Sequence, residues 1–426
     1  MKKIFIITGL IFIFTASFAE SNENPFVQNE YNPDISLIAD FAFISSDIKD
    51  ESREHLEIPE FAHHPPHTHM NKGRGLNFNY LELSFAAPVD PYFDIFAVST
   101  IAPGHGIEVE EVYADTKFLP YGFGLRLGLF KSDIGRHNSK HAHAWDFYDS
   151  PIIYDTLLGT EGISNMGVRL TYALPVDFLL MAGAEIFQGS FGEPISFNAN
   201  GFTFLDKEIE PFSKPALYTG YLKTSFDFGD HIFLLGASTL YGQSNLIHSH
   251  HHEGEVASPP DHAISASDTI LYGFDLTYKY IIDAYRYLSI EGEYLNRAID
   301  GDLYLTDNKG TEDVSDDVAI IKGLNKVNSG LYVQSIFKFN YRMRTGVRLD
   351  YLLKPEKKIN GEKQDLEIEN LYKISFMLEY NHTEFSRFRF QYNYDHTKYF
   401  EEKMLPIQEF IFSYNFAIGA HGAHAF

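Results

Sequence analysis

Histidine carries most of the chemistry that this chain can offer. Thirteen of its nineteen histidines fall in three polar stretches, and there is no cysteine anywhere. Stretch 47–74 holds His55 and the run His63-His64-Pro65-Pro66-His67-Thr68-His69. Stretch 132–163 holds His137, His141 and His143, and stretch 244–267 holds His248, His250, His251, His252 and His262. Neutral imidazole suits zinc, copper and nickel, and short histidine-rich tracts are candidate metal binders. Without thiolates, a zinc site must combine His with Asp or Glu. Pro65 and Pro66 keep the first run extended, so it does not close a four-ligand site alone. The candidate ligand set is therefore His63, His64, His67 and His69 with His248, His250, His251 and His252, for zinc or copper. The competing reading is a solvated, acid-sensing surface, and neither reading requires a cofactor.

Stretch 132–163 differs from the other two. It interleaves aromatics with charges from Arg136 to Asp149 and contains the only tryptophan, Trp145. Such apolar weight in an exposed loop implies that it packs somewhere. Either it folds inward as a constriction through His137, His141, His143, Trp145 and Asp146, or it packs on neighbouring loops. Lys338, Arg342, Arg344, Arg348, Lys373, Arg387 and Arg389 fall at one phase of their segments. Glu108, Glu110, Glu111, Asp133, Asp146 and Asp149 lie elsewhere in the chain. A wall bearing Arg342, Arg344, Arg348, Arg387 and Arg389 opposite those acids would set a transverse field across a pore. Some of these charges would instead pair across neighbouring strands. Stretch 299–326, with Asp300, Asp302, Asp307, Glu312, Asp313, Asp316 and Asp317, lacks the ligand spacing of a calcium loop and reads as solvated.

No G-x-S-x-G, Walker or H-E-x-x-H pattern occurs, so the sequence points away from an enzyme. A formal charge of −24 with no basic block argues against a nucleic-acid partner. The absence of cysteine excludes disulfides, thiolate metal sites, a lipoprotein anchor and covalent haem.

The elements that must position these residues are strands. Phe410, Phe412, Tyr414, Phe416 and Ile418 alternate with Ile411, Ser413, Asn415 and Ala417, and Phe388 to Tyr394 alternate with Arg389, Gln391 and Asn393. A period of two with one apolar face marks a strand, and charges on the other face mark the membrane-barrel pattern. The spacing predicts sixteen strands: about 33–46, 75–87, 91–102, 106–117, 121–131, 164–174, 177–187, 215–228, 230–243, 268–282, 284–298, 327–339, 341–353, 371–381, 384–396 and 407–418. Short and long connections alternate between them, as tight periplasmic turns and outer loops do. A phase slip between Tyr80 and Leu81 suggests a bulge. Segment 231–241 is apolar on both faces in part.

At the N-terminus, Lys2 and Lys3 precede an apolar run from Ile4 and the cleavage-like Ala16-Ser17-Phe18-Ala19. Residues 1–19 read as a cleavable signal peptide, 20–32 as a short periplasmic segment and 33–426 as the barrel. No later segment has 18 consecutive apolar residues, so any span is made of strands. The expected fold is an all-β transmembrane antiparallel barrel of about 16 strands in the bacterial outer membrane. Its expected surroundings are outer-membrane lipid and lipopolysaccharide, and barrel-assembly machinery would read the C-terminal Phe426. A homotrimer is the candidate assembly.

Asn32-Pro33-Asp34-Ile35-Ser36-Leu37-Ile38, Val89-Asp90-Pro91-Tyr92-Phe93-Asp94 and Val109-Glu110-Glu111-Val112-Tyr113 carry a resemblance to known proteins. So do Gly135-Arg136-His137-Asn138, His141-Ala142-His143-Ala144-Trp145-Asp146-Phe147 and the ending from Gly419. Through these motifs the chain resembles bacterial outer-membrane porin-like proteins often labelled zinc-regulated TonB-dependent outer-membrane receptors. The resemblance implies an outer-membrane channel whose relatives are linked to zinc supply. A TonB-dependent transporter needs a plug domain in a barrel of about 22 strands, and residues 20–32 are too few to supply a plug. Two readings remain: a passive porin-like channel with metal-binding outer loops, or a surface zinc or copper scavenger feeding metal uptake.

Overall fold

A computed structural model describes residues 33–53, 55–61, 73–104, 106–189, 196–248, 262–307, 317–400 and 403–419. Sixteen strands form the wall: β1 (Asp34–Ser46), β2 (Gly75–Pro88), β3 (Phe93–Ala102), β4 (Gly106–Thr116), β5 (Phe123–Lys131), β6 (Ser164–Ala173), β7 (Leu179–Phe187) and β8 (Leu217–Phe228). They continue as β9 (His231–His248), β10 (His262–Ile281), β11 (Tyr287–Asp307), β12 (Val318–Lys338), β13 (Met343–Leu352), β14 (Leu371–Thr383), β15 (Ser386–His396) and β16 (Ile407–Gly419). Each pairs antiparallel with its neighbour in sequence, and β16 returns to β1 with Ser36 opposite Gly419 and Ser46 opposite Glu409, closing the ring.

The alternation of side chains sorts lipid from lumen. On β16, Phe410 and Phe412 are 49% and 44% exposed while Ile411 between them is 3% exposed. Outward aromatics pack side by side along the wall, as where Phe388 stacks on Tyr414 at 4.6 Å. The tight turns share one device, a carboxylate or amide oxygen that accepts the turn's own N–H groups. Asp90 takes those of Tyr92 and Phe93, Asp283 those of Tyr285 and Arg286, and Asn340 those of Arg342 and Met343.

Bulges interrupt the alternation on β2 and on β4. The β1–β2 ladder passes from Asp40 opposite Tyr80 to Phe41 opposite Phe78, leaving Asn79 as the extra residue. This is the expected bulge, one residue earlier than the phase slip places it. The β3–β4 ladder passes from Val98 opposite Glu111 to Ser99 opposite Val109, leaving Glu110 extra. A bulge re-aims the side chains beside it.

Strands β9 to β12 run well past the expected ends. Stretch 299–326 is not a solvated loop over most of its length: Asp300, Asp302 and Asp307 lie on β11, which pairs with β12 up to Asp307 opposite Val318. Polar residues obscure the pattern here because a 21-residue strand extends about 70 Å, far beyond an apolar band about 25 Å tall. Above the lipid the outward face need not be apolar, and the hairpins are held by a separate core of Ile264, Ala266, Ile299, Leu303 and Leu324. Residues 1–19, 20–32 and 420–426 lie outside the described residues, as do His63, His64, His67, His69, His250, His251 and His252.

Inside the ring sits the connection between β5 and β6. Its helix α2 (Ile152–Leu157) buries Ile152, Ile153, Tyr154 and Leu157 against wall residues Phe187, Leu240, Leu271, Leu295, Tyr332 and Leu352. This accounts for segment 231–241 being apolar on both faces, since Leu240 meets the loop while Leu235 faces out. The first outer loop, which carries the short helix α1 (Asp50–Arg53), also leans inward. Glu60 pairs with Lys326 of β12 at 2.9 Å and with Lys357 at 2.7 Å. Burial opposes the charge on Glu60, but the two lysines hold its carboxyl down to about 2.

The sidedness rests on the alternation of connections and is testable because the chain has no cysteine of its own. In intact cells, a membrane-impermeant maleimide should label Ser267→Cys and Asp302→Cys but not Asp230→Cys or Asp283→Cys. The reverse pattern would invert the topology.

Candidate functional site

Loop 132–163 reaches into the lumen, and it also packs on other loops, where the Ser196 hydroxyl donates to the Leu157 carbonyl at 2.6 Å and Ile58, Phe61 and Phe197 join the core around its helix. Asn138 gathers its neck: its amide donates to the carbonyls of Ser132 at 2.7 Å and Ile163 at 3.0 Å, and its oxygen accepts the Ile163 N–H at 2.7 Å. Gly162, at φ 69°, must pass so close that a Cβ would stand 2.2 Å from that same oxygen, so only glycine fits. Gly135, at φ 56°, lets the backbone reach Glu293 of β11. That carboxylate accepts the N–H of Arg136 at 3.1 Å and of His137 at 2.8 Å, and the Tyr154 hydroxyl at 2.8 Å.

The far end of the loop is held by charge. Asp149 accepts Arg348 of β13 at 2.9 Å, Gln391 of β15 at 2.9 Å, Asn393 at 3.1 Å and Lys373 of β14. Arg348 also donates to the Asp149 carbonyl at 2.7 Å and to Asp350 at 2.9 Å. Asp350 in turn accepts the first N–H of α2, that of Ile152, at 3.0 Å. Asp146 pairs with Arg344 at 2.5 Å and accepts Gln334 at 2.9 Å. Burial disfavours the Asp146 carboxylate, yet Arg344 and Lys140 hold it below its usual range.

Further round the ring, His141 is clasped by two adjacent carboxylates of β4. Its Nδ1 is 2.8 Å from Glu110 and its Nε2 is 2.8 Å from Glu111. His143 Nδ1 lies 2.9 Å from Glu82 of β2, and Thr100 donates to Glu110. Burial opposes a charged His141, but the hydrogen bonds that both glutamates accept from it overcome this and hold the imidazole well above its ordinary range. His137 behaves oppositely. Burial, with Lys140 and Arg348 nearby, holds it well below that range, so a neutral ring packs on Trp145 at 4.9 Å and Tyr154 at 4.8 Å.

Among proteins of known sequence, one from Aquifex aeolicus (strain VF5), described only as uncharacterized, is 43% identical over 407 residues, covering 95% of this chain and 82% of that protein. The chain belongs to the same family as that protein. No family profile matches the sequence. Among solved structures, in-vitro folded OmpT, an outer membrane protein of Vibrio cholerae, matches with TM-score 0.51 and 12% identity over 92% of this chain and 99% of that one. Its loop L8 deletion mutant matches with TM-score 0.50 and 12% identity over 91% and 99% of the two chains. At these identities the likeness is one of fold. A closed sixteen-strand barrel with an outward apolar band places this family in the bacterial outer membrane. The receptor label gains no support, since what fills the lumen among the described residues is the barrel's own loop.

Of the residues expected to constrict the lumen, nearly all meet there. His137, His141, His143, Trp145 and Asp146 are on the inward loop. Arg344 and Arg348 contact it by side chain, Arg387 donates to the His143 carbonyl at 2.8 Å and Arg389 to the Trp145 carbonyl at 2.8 Å. Arg342 does not join them: it lies exposed in the turn closed by Asn340, its guanidinium 5.0 Å over Tyr341. The expected transverse field is also corrected. Wall and loop touch instead of facing each other across open lumen, and Arg344 and Arg389 are further neutralised by Glu379 at 2.7 Å and 3.0 Å. Glu379, Asp350, Glu293 and Glu82 were not singled out from sequence, although the inward phase of their strands marks them. Of the outer metal candidates only His248 falls within the described residues, at the end of β9 opposite His262.

Asp149 makes a sharp test, because its removal takes from buried Lys373 its ion-pair partner and from Arg348 one of its two carboxylates. Asp149→Ala should weaken loop docking by about 3–5 kcal/mol, read as faster protease cleavage within 140–158 while the barrel keeps its heat-modifiable migration. Unchanged cleavage would show that the loop is held by its apolar helix alone.

Proposed function

We propose that the protein is a porin-like channel for passive passage of small solutes or ions across the outer membrane, with loop 132–163 as its constriction. The observation that carries this reading is the folded-in loop, tied to β4, β11, β13, β14 and β15 by polar contacts. Polar rings of side chains and a narrowing element are how barrels select what passes. The chain's charge of −24 favours cations over anions in that lumen. No catalytic role is proposed.

Planar-bilayer recording tests the proposal. The full-length barrel should give small, cation-preferring steps, and a variant lacking residues 142–157 should give severalfold larger ones. A folded variant that conducts no better than the parent, with neither passing current, would remove the channel reading.

A further inference from the structure

We propose that Glu82, Glu110 and His141 form a binding site for one divalent first-row metal ion of the zinc class, set where the inward loop meets β2 and β4. One oxygen from each carboxylate and one ring nitrogen of His141 all lie within 4.8 Å of one another. The three side chains are nearly enclosed, with 5%, 13% and 12% of their surfaces exposed. Zinc bonds of about 2.0–2.1 Å set tetrahedral donors about 3.3 Å apart, so an outward shift of about half an ångström between His141 and Glu110 would admit the ion. Mixed nitrogen and oxygen donors suit zinc, copper or nickel and suit magnesium poorly.

A second observation is independent of that spacing. A metal-bound histidine hands its other ring N–H to a carboxylate, which fixes the tautomer and the ring plane. Glu111 stands at that position, 2.8 Å from His141 Nε2. The carboxylates are oriented too, Glu82 by His143 and Glu110 by Thr100. Binding at Nδ1 takes the place of its 2.8 Å hydrogen bond with Glu110, and the proton of that bond leaves to solvent as the ion enters.

The bulge in β4 makes the arrangement possible. Successive residues of a strand point to opposite faces, yet the extra Glu110 brings Glu110 and Glu111 onto the two nitrogens of one ring. This set shares no residue with His63, His64, His67, His69, His248, His250, His251 and His252, and it does not depend on conduction.

Trp145, the chain's only tryptophan, lies four residues from His141 on the same loop and is the single indole emitter. The test uses the folded full-length barrel with His63, His64, His67, His69, His248, His250, His251 and His252 replaced by Ala, so that the outer loops bind nothing. Copper(II) should quench Trp145 emission with saturation at one ion per chain, zinc should block the quenching, and magnesium should not. Glu110→Gln with His141→Gln should abolish saturation, and Glu111→Gln should weaken it by about 10–100-fold. No saturable quenching, or an unchanged titration in the double variant, would overturn the site. If the double variant fails to fold, Glu82→Gln and Glu111→Gln decide: unchanged affinity in both overturns it.

Discussion

A backbone polar group in hydrocarbon has no water to turn to, so a sheet that crosses lipid must close upon itself. Here the closure is the β1–β16 ladder, and much else depends on it. A closed ring has one inside, and the period of two sends every second residue there. Part of that inner set is apolar and meets α2, while the rest is polar and charged and comes from strands far apart in sequence. Many of these residues, Arg348, Asp350 and Glu379 among them, are almost fully buried. Each therefore needs a partner, because an unpaired charge in such a place costs several kcal/mol.

The inward loop supplies many of those partners. Asp149 offers one carboxylate to four side chains on three strands, and Asp146 completes a group with Arg344, Glu379 and Arg389. Between these polar ends, α2 gives the lumen an apolar centre. The loop is thus packed on one side by helix and on the other by ion pairs. Pairing so complete leaves little uncompensated charge on the β13–β15 wall, which is why the arginines act as fasteners rather than as one pole of a field.

Much of this was legible in the sequence. Strands such as 75–87, 164–174 and 384–396 fall within two residues of β2, β6 and β15 because lipid on one side and charge on the other make the alternation clean. The long hairpins of β9 to β12 were cut short, since above the membrane neither face is obliged to be apolar. Trp145 and its aromatic neighbours marked the loop as one that must pack. Which wall would receive it was not legible, because Asp149 meets Arg348, Lys373 and Gln391 only after the ring has closed over some two hundred residues. Arg342 was misplaced for a local reason: Asn340 draws it into the turn before the strand begins.

The bulges on β2 and β4 set that part of the wall apart from β13 to β15. On β13 to β15 the ladder stays in register up to a slip between Asn381 and Thr383 near the turn, so Arg344, Arg348, Lys373, Arg389, Gln391 and Asn393 come singly and each serves as a peg. A one-residue irregularity shifts the phase of everything beyond it, and at the bulge itself two successive residues can reach the same side. Asn79 and Tyr80 are both buried within the ring, where Asn79 meets Asp40 and the loop's Tyr148. Glu110 and Glu111 clasp His141 from the neighbouring irregularity. Regular strand therefore builds attachment, whereas bulged strand concentrates donors. His141 and His143 meet the wall where the ladder slips, at the point where a regular sheet would have turned one of those two carboxylates toward lipid.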